Sequence, residues 1–378
     1  MRCPRCQFEG NMVYGKCPRC GYAVAQGPSG SFRVATFSSA PSSRLFNPYT
    51  LMRGDTLSQG RYRIINQITL PEPQQRQAAA WEAIDLQVVQ RHVVIRQFVV
   101  PRTMLETSSA EQVASELAQR FHELGQHEGF PSVVDFFGNP GAYFIVTFPP
   151  AGESLAILLN LQGGALPEQV VAEYGYQICG LLSRLVDQQP PVVHGSINPE
   201  TIIVSPDGRR VSLNHLPLFR PALPSASGEI SSSGYYAPEQ MRGEVDPSSD
   251  LYALAATMHH AVTGYNPQER LAFFHPPVRR LNPAVSAHME MILARQLSLS
   301  KSQRYAHPSE MQRELASLIA SYPEPTAGES PAPVIDPLHL NASQLREQVR
   351  SNTLLNYGVF AAIVVLLLVG VFIALLRP

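Results

Sequence analysis

Residues 59–321 limit most strongly what this chain can fold into. Strand-like and helix-like patterns alternate along them and no internal repeat divides them, so they read as one α+β domain. Both flanks are linkers by composition. Residues 26–58 are rich in Ser, Pro and Gly with little periodicity. Residues 322–353 open on a Pro-rich stretch, Tyr322 to Pro337, and continue through a short polar segment, Asn341 to Ser351. A net charge of −1 gives no bulk attraction to nucleic acid. Lysine is confined to Lys16 and Lys301, so nearly all the positive charge is arginine.

The N-terminal 1–25 segment pairs Cys3 with Cys6 and Cys17 with Cys20, each as Cys-x-x-Cys, with ten residues between the pairs. Two such turns present four thiolates to a tetrahedral ion at about 2.3 Å. The pattern resembles a zinc ribbon, with Cys-Pro-Arg-Cys-Gly as its second knuckle. Disulfides or free thiols are the alternative, and no apolar leader opens the chain to favour an oxidising compartment. Four cysteines leave no open position, so the zinc expected here is structural; metal binding, worth roughly 10–16 kcal/mol in small zinc peptides, would supply the folding energy. Arg2, Arg5, Lys16 and Arg19 make the knot basic, but no series of aromatic residues accompanies them, which argues for a solvated face over a nucleic-acid site. The fifth cysteine, Cys179, lies in an apolar helical stretch and reads as a buried small side chain.

At the other end, residues 354–376 read as a transmembrane helix. Val359 to Leu376 is an uncharged apolar run that spans about 27 Å as a helix, close to the hydrocarbon thickness of a bilayer. Its place in the chain and the reduced cysteines imply a single-pass C-terminal anchor with the main domain in the cytoplasm.

Within the main domain, Val192-Val193-His194-Gly195-Ser196-Ile197-Asn198-Pro199-Glu200-Thr201 precedes an apolar strand and resembles the catalytic loop of protein kinases. Gly234-Tyr235-Tyr236-Ala237-Pro238-Glu239 resembles the end of their activation segment, Ser249 to Leu254 the start of the next large helix, and Lys301 to Tyr305 their late arginine motif. Upstream, Gly60 to Ile64 resembles the opening strand, Val93 to Phe98 the strand that carries the family's lysine, and His127 to Phe137 the segment after helix C. The order is right over about 260 residues. The resemblance implies a bilobal fold with a β-rich N-lobe and a helical C-lobe.

The same alignment implies lost chemistry. Kinases need a glycine-rich loop over the phosphates, a lysine on them, two ligands for Mg²⁺ and a carboxylate base. Here the loop position is Ile68 to Gln75, with two prolines and no glycine; Arg96 stands at the lysine position and Ser196 at the base. Asn198 replaces the loop lysine, Thr201 the loop metal ligand and His215 the second metal ligand, and Pro149 falls in the hinge that would bond adenine. Arginine is not equivalent to lysine, a serine hydroxyl is a poor base near neutral pH, and imidazole is a poor ligand for Mg²⁺. ATP and Mg²⁺ thus lose most of the groups that would hold them, and Arg96 is the candidate for any residual nucleotide contact. The retained residues have architectural roles in the family: His194 anchors the loop, Asp250 ties it to the following helix, and Glu239 pairs with Arg304. Glu116 is the candidate for the glutamate of helix C. The serines between Ser225 and Ser233 are ordinary loop residues or phosphorylation targets of another kinase, and His259-His260 read as packing or surface residues.

Three functions stay open: a membrane-anchored pseudokinase that serves as a signalling scaffold for a partner protein or a true kinase; an active serine/threonine kinase that uses Glu200, Asp207 or Glu153; and a zinc-ribbon sensor that relays through the kinase-like domain.

Overall fold

Tyr62 and Ile64 are buried and Arg63 between them is exposed, the period of two that gives a strand with one covered face. The same alternation recurs in the next strands and builds an antiparallel sheet. In chain order its strands are β1 (Thr56–Leu57), β2 (Tyr62–Ile68), β3 (Ala78–Asp85), β4 (Arg91–Phe98), β5 (Ser132–Asn139) and β6 (Ala142–Phe148). They pair in the order β1-β2-β3-β4-β6-β5. The computed structural model describes residues 51–68, 78–88, 91–98, 100, 109–139, 142–214, 234–242 and 244–322.

One face of the sheet closes on Tyr62, Ile64, Trp81, Ala83, Val93, Ile95, Phe144 and Val146. Each of the large side chains contributes roughly 1.5–3 kcal/mol when fully buried. Elsewhere Phe98, Phe136 and Tyr143 stack with centroids 5.8 to 6.3 Å apart. Helix α1 (Ala110–Leu124) starts on a capping box between Ser109 and Gln112 and packs against β5 through a buried face of Ala114, Ala118, Phe121 and Leu124. Arg61 fastens the sheet from outside the core. Its fork takes both oxygens of Asp85 at 3.1 and 2.9 Å and one of Asp135 at 2.9 Å, and Asp135 also accepts from the Tyr62 hydroxyl at 2.7 Å.

Leu51 and Leu57 pack on the sheet core, and Thr56–Leu57 pairs with β2. The described fold therefore extends into the stretch that reads as linker from composition. Two leucines among polar residues are enough to dock it.

The rest is mainly helical: α2 (Leu155–Leu161), α3 (Glu168–Val186), α4 (Pro247–Thr263), α5 (Val278–Leu281), α6 (Ala287–Gln296) and α7 (Pro308–Ala320). Helix α4 is buried along nearly its whole length, from Ser248 to Val262. A helix apolar on most faces must lie inside its domain. Asp246 caps its start with Pro247 at the first turn, and Gly264, at φ +72°, stops it. Helix α3 packs on α4 and α7 and buries Cys179 completely, as expected. A small sheet in the order β7-β8-β9 joins β7 (Glu153–Ser154) to β8 (Ile202–Val204) and β9 (Val211–Leu213).

The chain divides into two units, 1–205 with 210–324 and 206–209 with 325–378. Of the second only residues 206–209 are described, where the Arg209 N–H donates to Asp207 Oδ1 at 3.2 Å. The four N-terminal cysteines, the apolar run 354–376, His215, Thr69 to Gln75 and the serines 225–233 all lie outside the described residues. Among the described residues no helix is long and apolar enough to cross a membrane.

Candidate functional site

The loop from His194 to Thr201 is held from below by one carboxylate. Asp250, in the first turn of α4, accepts the backbone N–H of His194 at 2.6 Å and that of Gly195 through its other oxygen. Gly195 takes φ +64°, a left-handed conformation that a side chain would strain and that lets two successive N–H groups aim at one side chain. His194 Nε2 donates to the Asn214 carbonyl at 3.1 Å, which ties the loop to the end of β9. These are the contacts expected of His194 and Asp250.

Above that anchor the loop closes on itself. Asn198 Oδ1 accepts the N–H groups of Glu200 at 2.8 Å and Thr201 at 3.2 Å, while its amide nitrogen donates to the Ser196 carbonyl at 3.3 Å. Thr201 Oγ1 accepts the Asn198 N–H at 3.0 Å and donates to the Ser196 carbonyl at 2.9 Å. Both side chains are buried, as is Ser196. A Mg²⁺ ion requires several hard oxygens in near-octahedral array. The side-chain oxygens of Asn198 and Thr201 serve the loop's own N–H groups, so the described part of the loop does not fit that ion.

Arg96 lies on β4 between Ala80 of β3 and Ile145 of β6 and is buried. Burial pushes its guanidinium down to about 10, so it stays charged at neutral pH. Glu116 sits on the exposed side of α1, away from the buried face of Ala114 and Ala118. The structure therefore does not bring Glu116 to Arg96. Pro149 is exposed and follows directly on the last residue of β6.

Glu239 and Arg304 form the expected buried pair. Arg304 Nη1 and Nη2 donate to the two carboxylate oxygens at 2.7 and 3.0 Å, and the Ser249 hydroxyl adds a bond at 3.0 Å. Burial alone would raise the Glu239 carboxyl; the Arg304 bonds and charge, a backbone N–H and Ser249 outweigh it and hold the group below the usual carboxylate range. The guanidinium also rests 4.8 Å from the centre of the Tyr252 ring. This pair fixes the 3₁₀ turn Pro238–Arg242 against the helices. Gly234 lies so close to Pro267 that a Cβ would meet its carbonyl oxygen at 2.2 Å.

Sequence reasoning missed Gln240. Its Oε1 accepts the Ala237 N–H at 2.8 Å and its Nε2 donates to the Gly195 carbonyl at 3.3 Å, bridging the turn to the loop. Nothing but its place beside Glu239 marks it. His259 and His260 do pack: His259 Nε2 donates to the Pro276 carbonyl at 2.8 Å, and His260 Nδ1 meets the Tyr235 hydroxyl at 2.7 Å. Among the described residues no three His, Cys, Asp or Glu side chains converge as a metal site.

This arrangement, an antiparallel sheet with one helix across it, then a helical part whose buried α4 anchors a loop, is the protein-kinase fold. Two solved kinase structures share it: the kinase domain of PknI from Mycobacterium tuberculosis, at TM-score 0.50 and 18% identity over 72% of this chain and 100% of that one, and the PpkA-294 apo form, at 0.51 and 17% over 70% and 99%. Relatives found by sequence include the serine/threonine-protein kinase PknA of Nostoc, 24% identical over 64% of this chain and 45% of that protein. Another is the serine/threonine-protein kinase pkn3 of Myxococcus xanthus, 27% identical over 75% and 54%. The chain is thus similar in fold and in sequence to serine/threonine protein kinases, and it spans about half the length of these curated relatives. No family model matches it.

Proposed function

We propose that this chain is a pseudokinase: a kinase-like domain, carried by a C-terminal membrane anchor at residues 354–376 and an N-terminal zinc ribbon on Cys3, Cys6, Cys17 and Cys20, that binds a partner protein or a true kinase on the cytoplasmic side instead of transferring phosphate. The observation that carries this reading is the closed loop. Asn198 and Thr201, which align with the loop lysine and a metal ligand, hold the loop's own backbone, while Ser196, aligned with the base, is buried. Arg96 in place of lysine, and Glu116 on the outer side of α1, support it further. The scaffold contacts, Asp250 on the loop and Glu239 on Arg304, are kept.

An active serine/threonine kinase is the second reading, favoured by the names of the relatives. It would rest on a carboxylate outside the aligned positions, and Glu200, exposed on the loop itself, is the first to test. The deciding experiment is thermal shift of the full chain with ATP or ADP, with and without Mg²⁺, alongside a phosphotransfer assay. The pseudokinase reading expects no Mg²⁺-dependent shift; a Mg²⁺-independent shift lost in Arg96→Ala would mark a nucleotide-sensing form of it. Mg²⁺-dependent phosphotransfer abolished by Glu200→Gln would overturn it in favour of the active kinase.

A further inference from the structure

Between α4 and α6 the chain makes a turn that exposes apolar side chains. Leu271 is 80% exposed and Phe274 57%. They stand at the two ends of one turn, closed by the Phe274 N–H on the Leu271 carbonyl at 3.2 Å. The turn is built rather than loose. Phe273 is held at φ +61°, a costly conformation for an aromatic residue. The Tyr265 hydroxyl donates to the Phe274 carbonyl at 3.1 Å, and Arg270 lies 5.5 Å from the centre of the Tyr265 ring. Just downstream, Arg279, Arg280 and Leu281 are exposed on α5, which Val278 buries and the Arg279 N–H fastens to Glu290 at 2.6 Å. No Asp or Glu occurs between Glu269 and Glu290.

We infer that the segment from Arg270 to Leu281 docks on an anionic lipid surface, with Leu271 and Phe274 entering the headgroup layer and Arg270, Arg279 and Arg280 facing acidic headgroups. Charge complementarity identifies the occupant. The segment itself carries three arginines and no carboxylate, and of the two carboxylates that border it Glu269 accepts from Asn266 and Glu290 from the Arg279 N–H, so the segment stays net positive; each basic residue near an anionic surface adds attraction that salt screens. The apolar part is two exposed side chains on one tight turn, a size suited to insertion between headgroups. A stable protein interface would need a broad patch, about 800 Å² on each side, which a single turn does not offer.

The test uses the full chain in lipid nanodiscs made with or without phosphatidylglycerol. Trp81, the only native tryptophan, is wholly buried and supplies a constant background. In Phe274→Trp the added indole should shift to shorter wavelength and be quenched by brominated acyl chains only where phosphatidylglycerol is present. High salt, and separately Arg279→Glu with Arg280→Glu, should reduce that quenching several-fold. Identical emission in the two bilayers, or quenching that persists in high salt, would overturn the inference. A shift to shorter wavelength without quenching would overturn it in favour of a protein occupant, a partner or a second copy.

Discussion

Asp250 makes a sharp residue-level prediction. Its two oxygens satisfy two buried N–H groups, and each buried donor left unpaired costs about 1–3 kcal/mol. Asp250→Ala should therefore lower unfolding free energy by about 3 kcal/mol or more in urea titration, and Asp250→Asn by roughly half as much; an unchanged midpoint in both would refute the anchoring role. Glu239→Gln and Arg304→Met should each cost about 3–5 kcal/mol, since each leaves a partner buried and unpaired, while the double variant should cost clearly less than their sum. Strict additivity in that cycle would argue against a coupled pair. These positions were legible in the sequence because the residues on both sides of each contact lie in motifs that resemble those of protein kinases, whose roles the resemblance supplies. Gln240 was not, because its two bonds depend on how the turn Pro238–Arg242 is set against the loop.

The loop and α1 show where sequence reasoning reaches its limit for an element. Asn198 and Thr201 could be recognised as departures from the kinase pattern, but their work as internal struts depends on backbone angles that no spacing reveals. Thr201→Val keeps the shape, removes the hydroxyl and leaves the Asn198 N–H without its acceptor, so it should cost about 1–3 kcal/mol by urea titration. In α1 the helical phase was available in principle. Ala114, Ala118 and Phe121 repeat at the spacing of one face and put Glu116 on another. Glu116→Ala is accordingly expected to change stability by no more than about 0.5 kcal/mol. A loss several times larger would place Glu116 in a contact that its exposed position excludes.

For the molecule as a whole, pH should act through the histidines around α4. Burial pushes His260 and His275 down to about 4 from an ordinary value of 6.5, and His259 down as well. His260 faces Tyr235, Glu269 and His259, and His275 faces Tyr252 and His259. The folded state thus holds these rings neutral while the unfolded chain takes up protons near 6.5. Their contribution is complete above that value and is lost as pH falls from 6.5 toward 4, on the order of 2 kcal/mol for each of the two. The depressed Glu239 carboxyl acts in the same sense at lower pH, since its stabilisation is lost as it protonates. Urea midpoints measured from pH 7.5 to 4.5 should fall, and His260→Gln with His275→Gln should flatten the slope; a midpoint that rises on acidification would contradict this packing.

The position of Trp81 has a practical consequence. The single indole lies in the core of the sheet, and the buried α4 that anchors the loop belongs to the helices. Fluorescence therefore follows the melting of one part, and far-ultraviolet circular dichroism, dominated by helices, follows the other. If the two signals trace one denaturation curve, sheet and helices unfold as a single cooperative body. If the fluorescence curve comes first, the chain has a half-open form in which the sheet has come apart while Asp250 still grips the loop, and that form would be spectroscopically visible without any label.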